Sequence, residues 1–434
     1  PSVFHGSVPY RFKIIRQAKD NTRSGRIQRD FAHKLLPSAS KLIDYTRCPA
    51  GAPDLGGEVP FVLLARLLRP LWTVRFGRLN QERIGHLAWN TEYYLLRRDS
   101  QGDRSTDLFC STGESANRQL MRMWSRVLRM SPWVWPLWKL NHILPGGAGN
   151  EVDLPFNFRN YERARDLAAG TKTHLEFTPK EEIEGRRALR AMGVPDGAPF
   201  VCFHARDSAY LDSREAGRDW DYHDYRDARI ANFLPAVEEL TRRGYYAIRM
   251  GAVVGGPLGA KNPKIIDYAV SHRSEFMDVY LCGRCSFFLA SNAGIADVAD
   301  VFRRPIARTN VVQYFGEFII SGKKDLFIFK KLWLKKERRF MTLRELLRSE
   351  AWTVRSGEVF AEIGAEPREN EPEDILDLAV ELEERLAGRW RPAPEDEELQ
   401  GRFWGLLSAA GKLSAEPVSR VGALFLRKNR ALLE

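Results

Sequence analysis

The chain has 434 residues, 44% hydrophobic and 28% charged, with a formal net charge of +11. That length gives room for two domains of ordinary size. No stretch approaches the roughly 20 consecutive apolar residues that cross a bilayer, and the N-terminus lacks the apolar core of a secretory signal, so a soluble cytoplasmic protein is expected.

The first 60 residues read as a basic helical segment, in which Arg11, Lys13, Arg16, Lys19, Arg23, Arg26 and Arg29 alternate with few acids. Such a segment is either a solvated helix or a contact with an anionic membrane surface. Trp72 to Leu79 is strand-like, and the loop after it places Gly85 and His86 just before a helix from about Trp89 to Arg97. Histidine titrates near neutral pH, so one at a loop tip facing a cleft can serve as a general base; a surface or capping histidine is the plainer reading. Asp107 to Cys110 is a second strand that ends in Ser111-Thr-Gly-Glu114, with an amphipathic helix over Asn117 to Arg129. Trp133, Trp135 and Trp138 are spaced for packing rather than for sugar stacking. Alternating strand and helix over residues 61–180 predicts an N-terminal Rossmann-like domain.

Lys180 to Met192 reads as a connecting helix, and residues 181–368 as a second Rossmann-like domain. Its first strand begins at Pro199 and ends abruptly in His204, Arg206 and Asp207. Charge at the carboxyl end of a buried strand lies where open α/β sheets bind ligands. A helix over Phe233 to Arg243 stops at Gly244, and the strand Tyr245 to Met250 again ends in charge and glycine, at Arg249 and Gly251. Ile265 to Ala269 is a third strand, Ser274 to Leu281 a helix, and Cys285 to Ala290 a fourth strand running into Ser291-Asn-Ala-Gly294 and a helix from Ile295 to Phe302. Strand, small-residue turn and helix form the geometry in which free backbone N–H groups and the helix dipole hold phosphate. Ile306 to Ala307 begins another strand.

Five cysteines, an odd number, do not make a disulfide framework. Cys282-Gly-Arg-Cys285 has no second pair at zinc spacing, and packing beside a buried strand is its expected role. Neither GxxxxGK[ST] nor a GxGxxG after a strand occurs. In residues 369–434, Asn370-Glu-Pro-Glu-Asp-Ile375 opens a helix with Leu378, Leu382 and Leu386 on one face, and Glu395 to Leu407 forms another. Both are expected to pack back across the domains.

Taken together, Arg83-Ile-Gly-His-Leu87 with Glu92, Phe203-His-Ala-Arg-Asp207, Tyr225-Arg-Asp227, Arg249-Met-Gly251, Ser291-Asn-Ala-Gly294 and Asp325-Leu-Phe-Ile-Phe-Lys330 resemble a bacterial family of GT-B-type glycosyltransferases. That family is associated with surface polysaccharide synthesis and is distantly similar to heptosyltransferases and to fucosyltransferases carrying an H-x-R motif. The similarity runs from about residue 70 to 405. It implies an α/β, GT-B-like fold with two Rossmann-like domains facing a cleft and helical extensions at both termini. It also implies a nucleotide-sugar donor on the second domain, a saccharide or lipid-linked acceptor on the first, and neither metal nor further cofactor. On this resemblance His204, Arg206, Arg249, Gly251, Ser291, Asn292 and Gly294 bind the donor. His86 is the expected base, with Glu92 and Asp207 as fallbacks, although the loop lacks the acidic residue that heptosyltransferases carry there. Tyr225 and Arg226 close over the donor or touch the acceptor; a helix N-cap at Asp224 or Asp227 is the plainer account of that stretch.

Fold does not fix reaction, so a GT-B-like epimerase, a pyruvyl-type transferase and a silent sugar-nucleotide sensor stay as alternatives. The positive charge calls for anionic partners, but 56 acidic residues and the absence of any basic stretch interleaved with aromatics argue against nucleic acid.

Overall fold

In a computed structural model, residues 57–154, 166–207, 221–312, 314, 322–353, 356–413, 417 and 419–434 are described. The basic stretch from Arg11 to Arg29 lies outside them.

The apolar runs around Phe76 and Phe109 make the first sheet. Helix α1 (Val59–Leu68) leads into β1 (Val74–Arg78), α2 (Ile84–Gln101) crosses over, and β2 (Thr106–Cys110) pairs with β1 in parallel. Single parallel bridges from Phe76 to Glu151 and from Phe109 to Met130 widen this sheet on both sides. Helix α2 starts earlier than its sequence predicts, so Gly85 and His86 lie in its first turn and not in a loop before it; Gly102, at φ +60, ends it. Asn117 caps α3 (Arg118–Val127) by accepting from Leu120 N, and α4 (Val134–Ile143) follows. Trp135 and Trp138 are half-buried as expected, but Trp133 is 81% exposed, because it precedes α4 instead of lying on its packed face.

Helix α5 (Pro179–Ala191) opens with a capping box in which Thr178 and Glu181 satisfy each other's backbone N–H groups. The same Glu181 accepts from Gln119 (2.6 Å) and Arg126 (2.9 Å), fastening α5 to α3. Beyond it come β3 (Phe200–His204), α6 (Leu234–Arg242), β4 (Tyr246–Arg249), β5 (Ile265–Ile266), α7 (Glu275–Arg284), β6 (Phe288–Ala290), α8 (Gly294–Val301), β7 (Ile306–Val311) and β8 (Leu326–Phe329). Gly244, at φ +101, ends the α6 turn as anticipated. The third strand is shorter than predicted, because Tyr268 leaves the strand path and its hydroxyl donates to Ser274 O and Asp278 Oδ1. An antiparallel sheet of β9 (Lys331–Leu334), β10 (Arg339–Phe340) and β11 (Ala365–Arg368) is appended; its short strands escaped the sequence reading.

Helices α9 (Pro372–Leu386) and α10 (Asp396–Ala409) and strand β12 (Arg420–Val421) precede α11 (Ala423–Lys428). They pack onto the second sheet: β12 pairs with β8, Glu381 accepts from Ala423 N at 2.7 Å, and Glu383 of α9 pairs with Arg243 beside α6. The seven strands are all parallel, in the order β12-β8-β7-β6-β3-β4-β5. Read along the chain this is a doubly wound sheet whose order reverses between β3 and β6. Its strands are buried on both faces, so Phe200–Phe203 and Leu326–Phe329 read as continuous apolar runs. The expected α/β class with a large parallel sheet holds. Residues 55–434 form one compact unit, and among the described residues no helix is long and apolar enough to cross a membrane.

Candidate functional site at the strand-order reversal

A doubly wound sheet leaves a crevice where neighbouring strands send their connections to opposite faces, and that crevice opens beyond the carboxyl ends of β3 and β6. There His204 pairs in register with Ala290. Ser291 N donates to His204 O at 3.0 Å, and Arg206 N donates to Ser291 Oγ at 2.7 Å. Ser291 therefore laces the two strand tips together and fixes where Arg206 leaves the sheet.

Two guanidinium groups converge at this point. Arg206 Nη1 reaches Asp227 Oδ1 at 2.5 Å, and Arg226 Nη2 donates to Asn292 Oδ1 at 2.8 Å. Burial, and after it the charge of Arg226, lowers the pKa of Arg206. Burial also pushes the Asp227 carboxyl up to about 6 against the pull of Arg206. Arg226 Nε and Asn292 Nδ2 are buried and find no hydrogen-bond partner among the described residues. Unsatisfied buried donors cost roughly 1–3 kcal/mol each, and oxygens of an anionic ligand would satisfy them.

Lys330, buried at the end of β8, donates to Tyr225 O (3.0 Å) and Asp227 O (2.6 Å), and burial lowers its pKa to about 8. The Tyr225 ring lies 5.4 Å from that of Phe360. The Tyr225-Arg-Asp227 stretch is thus pinned from below. Neither Asp224 nor Asp227 caps α6, because a 3-10 turn over Ile230–Phe233 intervenes and Phe233 holds the cap position.

The second component comes from the first sheet. The N-termini of α2 and α8 meet glycine to glycine: a Cβ on Gly85 would stand 3.0 Å from Gly294 Cα and overlap the Asp297 carboxylate, and one on Gly294 would stand 3.1 Å from Gly85 N. This contact brings the helix after β1 against the helix after β6 and sets His86 within reach of the Arg226 charge. Burial first, then the charge of Arg83, push the His86 pKa down to about 4; a bond with Asn90 opposes this, and Arg226 adds to it. His86 is therefore a neutral imidazole at physiological pH. A groove of about 430 Å³ opens at the end of β2, lined by Ser111, Met121, Met130 and Pro132 with Arg118 and Arg122.

Other expected site residues are engaged in contacts within the protein. Glu92 is fully buried, accepting from Arg303 Nη2 at 2.6 Å and facing His174 Nδ1 at 3.0 Å. It stands eight residues beyond Ile84, about 12 Å along α2 at 1.5 Å per residue, and so is a tie between α2 and the turn after α8 rather than a base at the crevice. Arg249 Nη1 bonds Gly256 O (2.8 Å) and Asp267 Oδ2 (3.2 Å), bracing the loop after β4. A Cβ on Gly251 would overlap Val254 Cγ1 at 2.6 Å, which keeps this turn tight. Asp207 Oδ2 accepts from Gly255 N at 3.1 Å in the same loop. His204 donates from Nδ1 to Met250 O at 2.8 Å, and burial lowers its pKa. Cys282 and Cys285 are wholly buried with Cys202, and burial raises the Cys202 and Cys282 thiols. Among the described residues no His, Cys, Asp and Glu cluster is arranged for a metal.

Sequence reasoning did not assign Asp227 or Lys330 a place here. The signal for Lys330 was present, since Leu326-Phe-Ile-Phe-Lys330 is an apolar strand ending in charge, as Phe203-His-Ala-Arg206 is.

No family model matches the sequence, and no curated protein does. Solved structures match part of it, at low identity and with TM-scores below 0.5. The E. coli ADP-heptose LPS heptosyltransferase II is 11% identical, with a TM-score of 0.36 over 59% of this chain and 90% of that one. A family 9 glycosyl transferase from Veillonella parvula DSM 2008 is 9% identical, with a TM-score of 0.36 over 60% and 86%. The iron-containing dodecameric glycosyltransferase TibC from enterotoxigenic E. coli H10407 is 13% identical, with a TM-score of 0.33 over 58% and 61%.

Proposed function

We propose that this protein is a glycosyltransferase that moves a sugar from a nucleotide-sugar donor to a saccharide or glycolipid acceptor in cell-surface polysaccharide synthesis, at the cytoplasmic face of the membrane. The observation that carries the reading is two guanidinium groups at the strand-order reversal, Arg206 on Asp227 and Arg226 on Asn292, beside the N-terminus of α8 and with buried donors unsatisfied on Arg226 and Asn292. Such a site favours a diphosphate, whose oxygens take planar guanidinium forks and helix N–H groups.

In the reaction the bond from the anomeric carbon to the diphosphate oxygen breaks, and its electron pair leaves with the diphosphate. Donors fixed in advance stabilise that growing charge more than they stabilise the bound donor. The guanidinium groups supply the positive charge, so the reading needs no divalent cation. The acceptor hydroxyl attacks the opposite face of the sugar and its proton passes to the neutral His86 imidazole, which inverts the anomeric configuration. The groove beside β2 is the space assigned to the acceptor.

Thermal unfolding of the full chain with nucleoside diphosphates and nucleotide sugars tests the donor site. Ligand at 100 times its Kd stabilises by about 2.7 kcal/mol. One base series is expected to stabilise the protein, and Arg206→Ala to abolish the effect. Release of nucleoside diphosphate with the sugar joined to an acceptor separates transfer from epimerisation. No response to any nucleotide would overturn the proposal.

A further inference from the structure

Helix α1 is apolar on both sides. Val62 and Ala65 are buried, yet Phe61 (64% exposed), Leu63, Leu64 and Leu67 (76%) open to solvent, and Leu71 (89%) and Trp72 (55%) extend the surface beyond the helix end. A helix that is hydrophobic all round is normally buried, and a run of large exposed apolar side chains marks an interaction surface. The orientation of α1 is fixed from its inner side. Arg66 donates to Asn141 Oδ1 (3.1 Å), Asn141 O (3.0 Å) and Pro145 O (2.8 Å) next to α4, and Asn150 Nδ2 donates to Ala65 O (3.2 Å). The outward face therefore cannot roll inward without breaking these bonds.

Charge selects the occupant. Residues 1–56, joined directly to this helix, carry ten Lys and Arg against four Asp and no Glu, and Arg69 is exposed at the helix end. A second copy would bring two such segments together and repel, whereas an anionic lipid surface attracts them while its acyl boundary takes the apolar side chains. At ten residues the helix is about 15 Å long, half of the roughly 30 Å hydrocarbon core, so it can lie in the interface but not span it. Trp72 suits the headgroup level.

We propose that α1 with Leu71 and Trp72 is a membrane-docking surface for anionic lipid, laid flat in the interface. The proposal stands independently of glycosyl transfer, since its readout is lipid binding. The test is co-sedimentation of the full chain with mixed phosphatidylcholine–phosphatidylglycerol vesicles and with phosphatidylcholine alone, at low and high salt. Wild type is expected to bind the mixed vesicles, more strongly at low salt. Leu64→Asp with Leu67→Asp is expected to lower the partition coefficient at least about tenfold, with the thermal unfolding curve unchanged because both side chains are exposed. Three results would overturn it: no binding by wild type, equal binding by the double variant, or a solution mass of two chains that the double variant reduces to one.

Discussion

Substituting Glu92 separates a structural from a catalytic carboxylate. Its side chain is 0% exposed and holds Arg303 Nη2 at 2.6 Å and His174 Nδ1 at 3.0 Å, while the two cations keep 23% and 18% of their side-chain surface. Removing one partner of a buried pair costs about 3–5 kcal/mol; because both cations left behind reach water, Glu92→Ala should fall near 3 kcal/mol, roughly 150-fold in the folding equilibrium. Glu92→Gln keeps an acceptor for Arg303 and isolates the histidine. Burial works against the charge on His174, but the Glu92 and Asp99 carboxylates outweigh it and raise its pKa. A histidine raised in the folded state lends stability that is complete below its unfolded pKa of about 6.5 and is lost as pH rises through the folded value. The deficit of Glu92→Gln against wild type should therefore be largest near about pH 6 and shrink toward about pH 9. Urea unfolding at both pH values measures it, with nucleotide-dependent turnover as the second readout. Unchanged stability at both pH values with lost turnover would refute the placement of Glu92 and return it to the reaction centre.

Changing His86 to Ala should lower turnover about 100-fold or more while leaving nucleoside diphosphate affinity within a few-fold. In wild type, kcat/KM, which reports the free enzyme, should persist down to about pH 5 and fall only as pH approaches the His86 pKa of about 4; an acid limb of kcat/KM near 6.5 would contradict the burial argument. Gly85→Ala forces a methyl group against the Gly294 backbone and the Asp297 carboxylate, so it should cost about 1–3 kcal/mol and reduce turnover about tenfold or more by parting α2 from α8. Wild-type melting and turnover together would show that the two helices do not meet there. Cys110, Cys202, Cys282 and Cys285 should resist maleimide in the native protein and react only after denaturation; native labelling of Cys282 or Cys285 would revive a redox reading of that pair.

The second sheet was legible because its strands are buried on both faces and so announce themselves as apolar runs, and because Gly244 and the Ser291-to-Gly294 turn punctuate them. The charged tips at Arg206 and Asp207 followed from the same reading. What escaped is what depends on partners distant in sequence. Glu92 and Arg303 are 211 residues apart, and Arg118 meets Glu275 across 157. No local pattern distinguishes a carboxylate awaiting a substrate from one already held by an arginine. Arg249 shows the same limit: strand-end charge predicts a ligand, and local sequence gives no sign of the loop that returns Gly256 O and Asp267 to the guanidinium. The start of α2 was misplaced because Arg83 at its cap position makes no side-chain cap bond, so the usual sequence mark for a helix N-terminus is missing.

The electrostatics of the crevice also bear on the order of events in the proposed transfer. Burial first, then Arg83 and to a lesser extent Arg226, leave His86 neutral but a weak base. A diphosphate held by Arg206 and Arg226 would offset the part of the lowering that Arg226 contributes, since an opposite charge nearby favours the protonated imidazole. Donor binding would thus strengthen the base just where the acceptor must be deprotonated. Burial remains the larger cause, so this gain is the Arg226 share alone, and an acceptor arriving first would meet a somewhat weaker base.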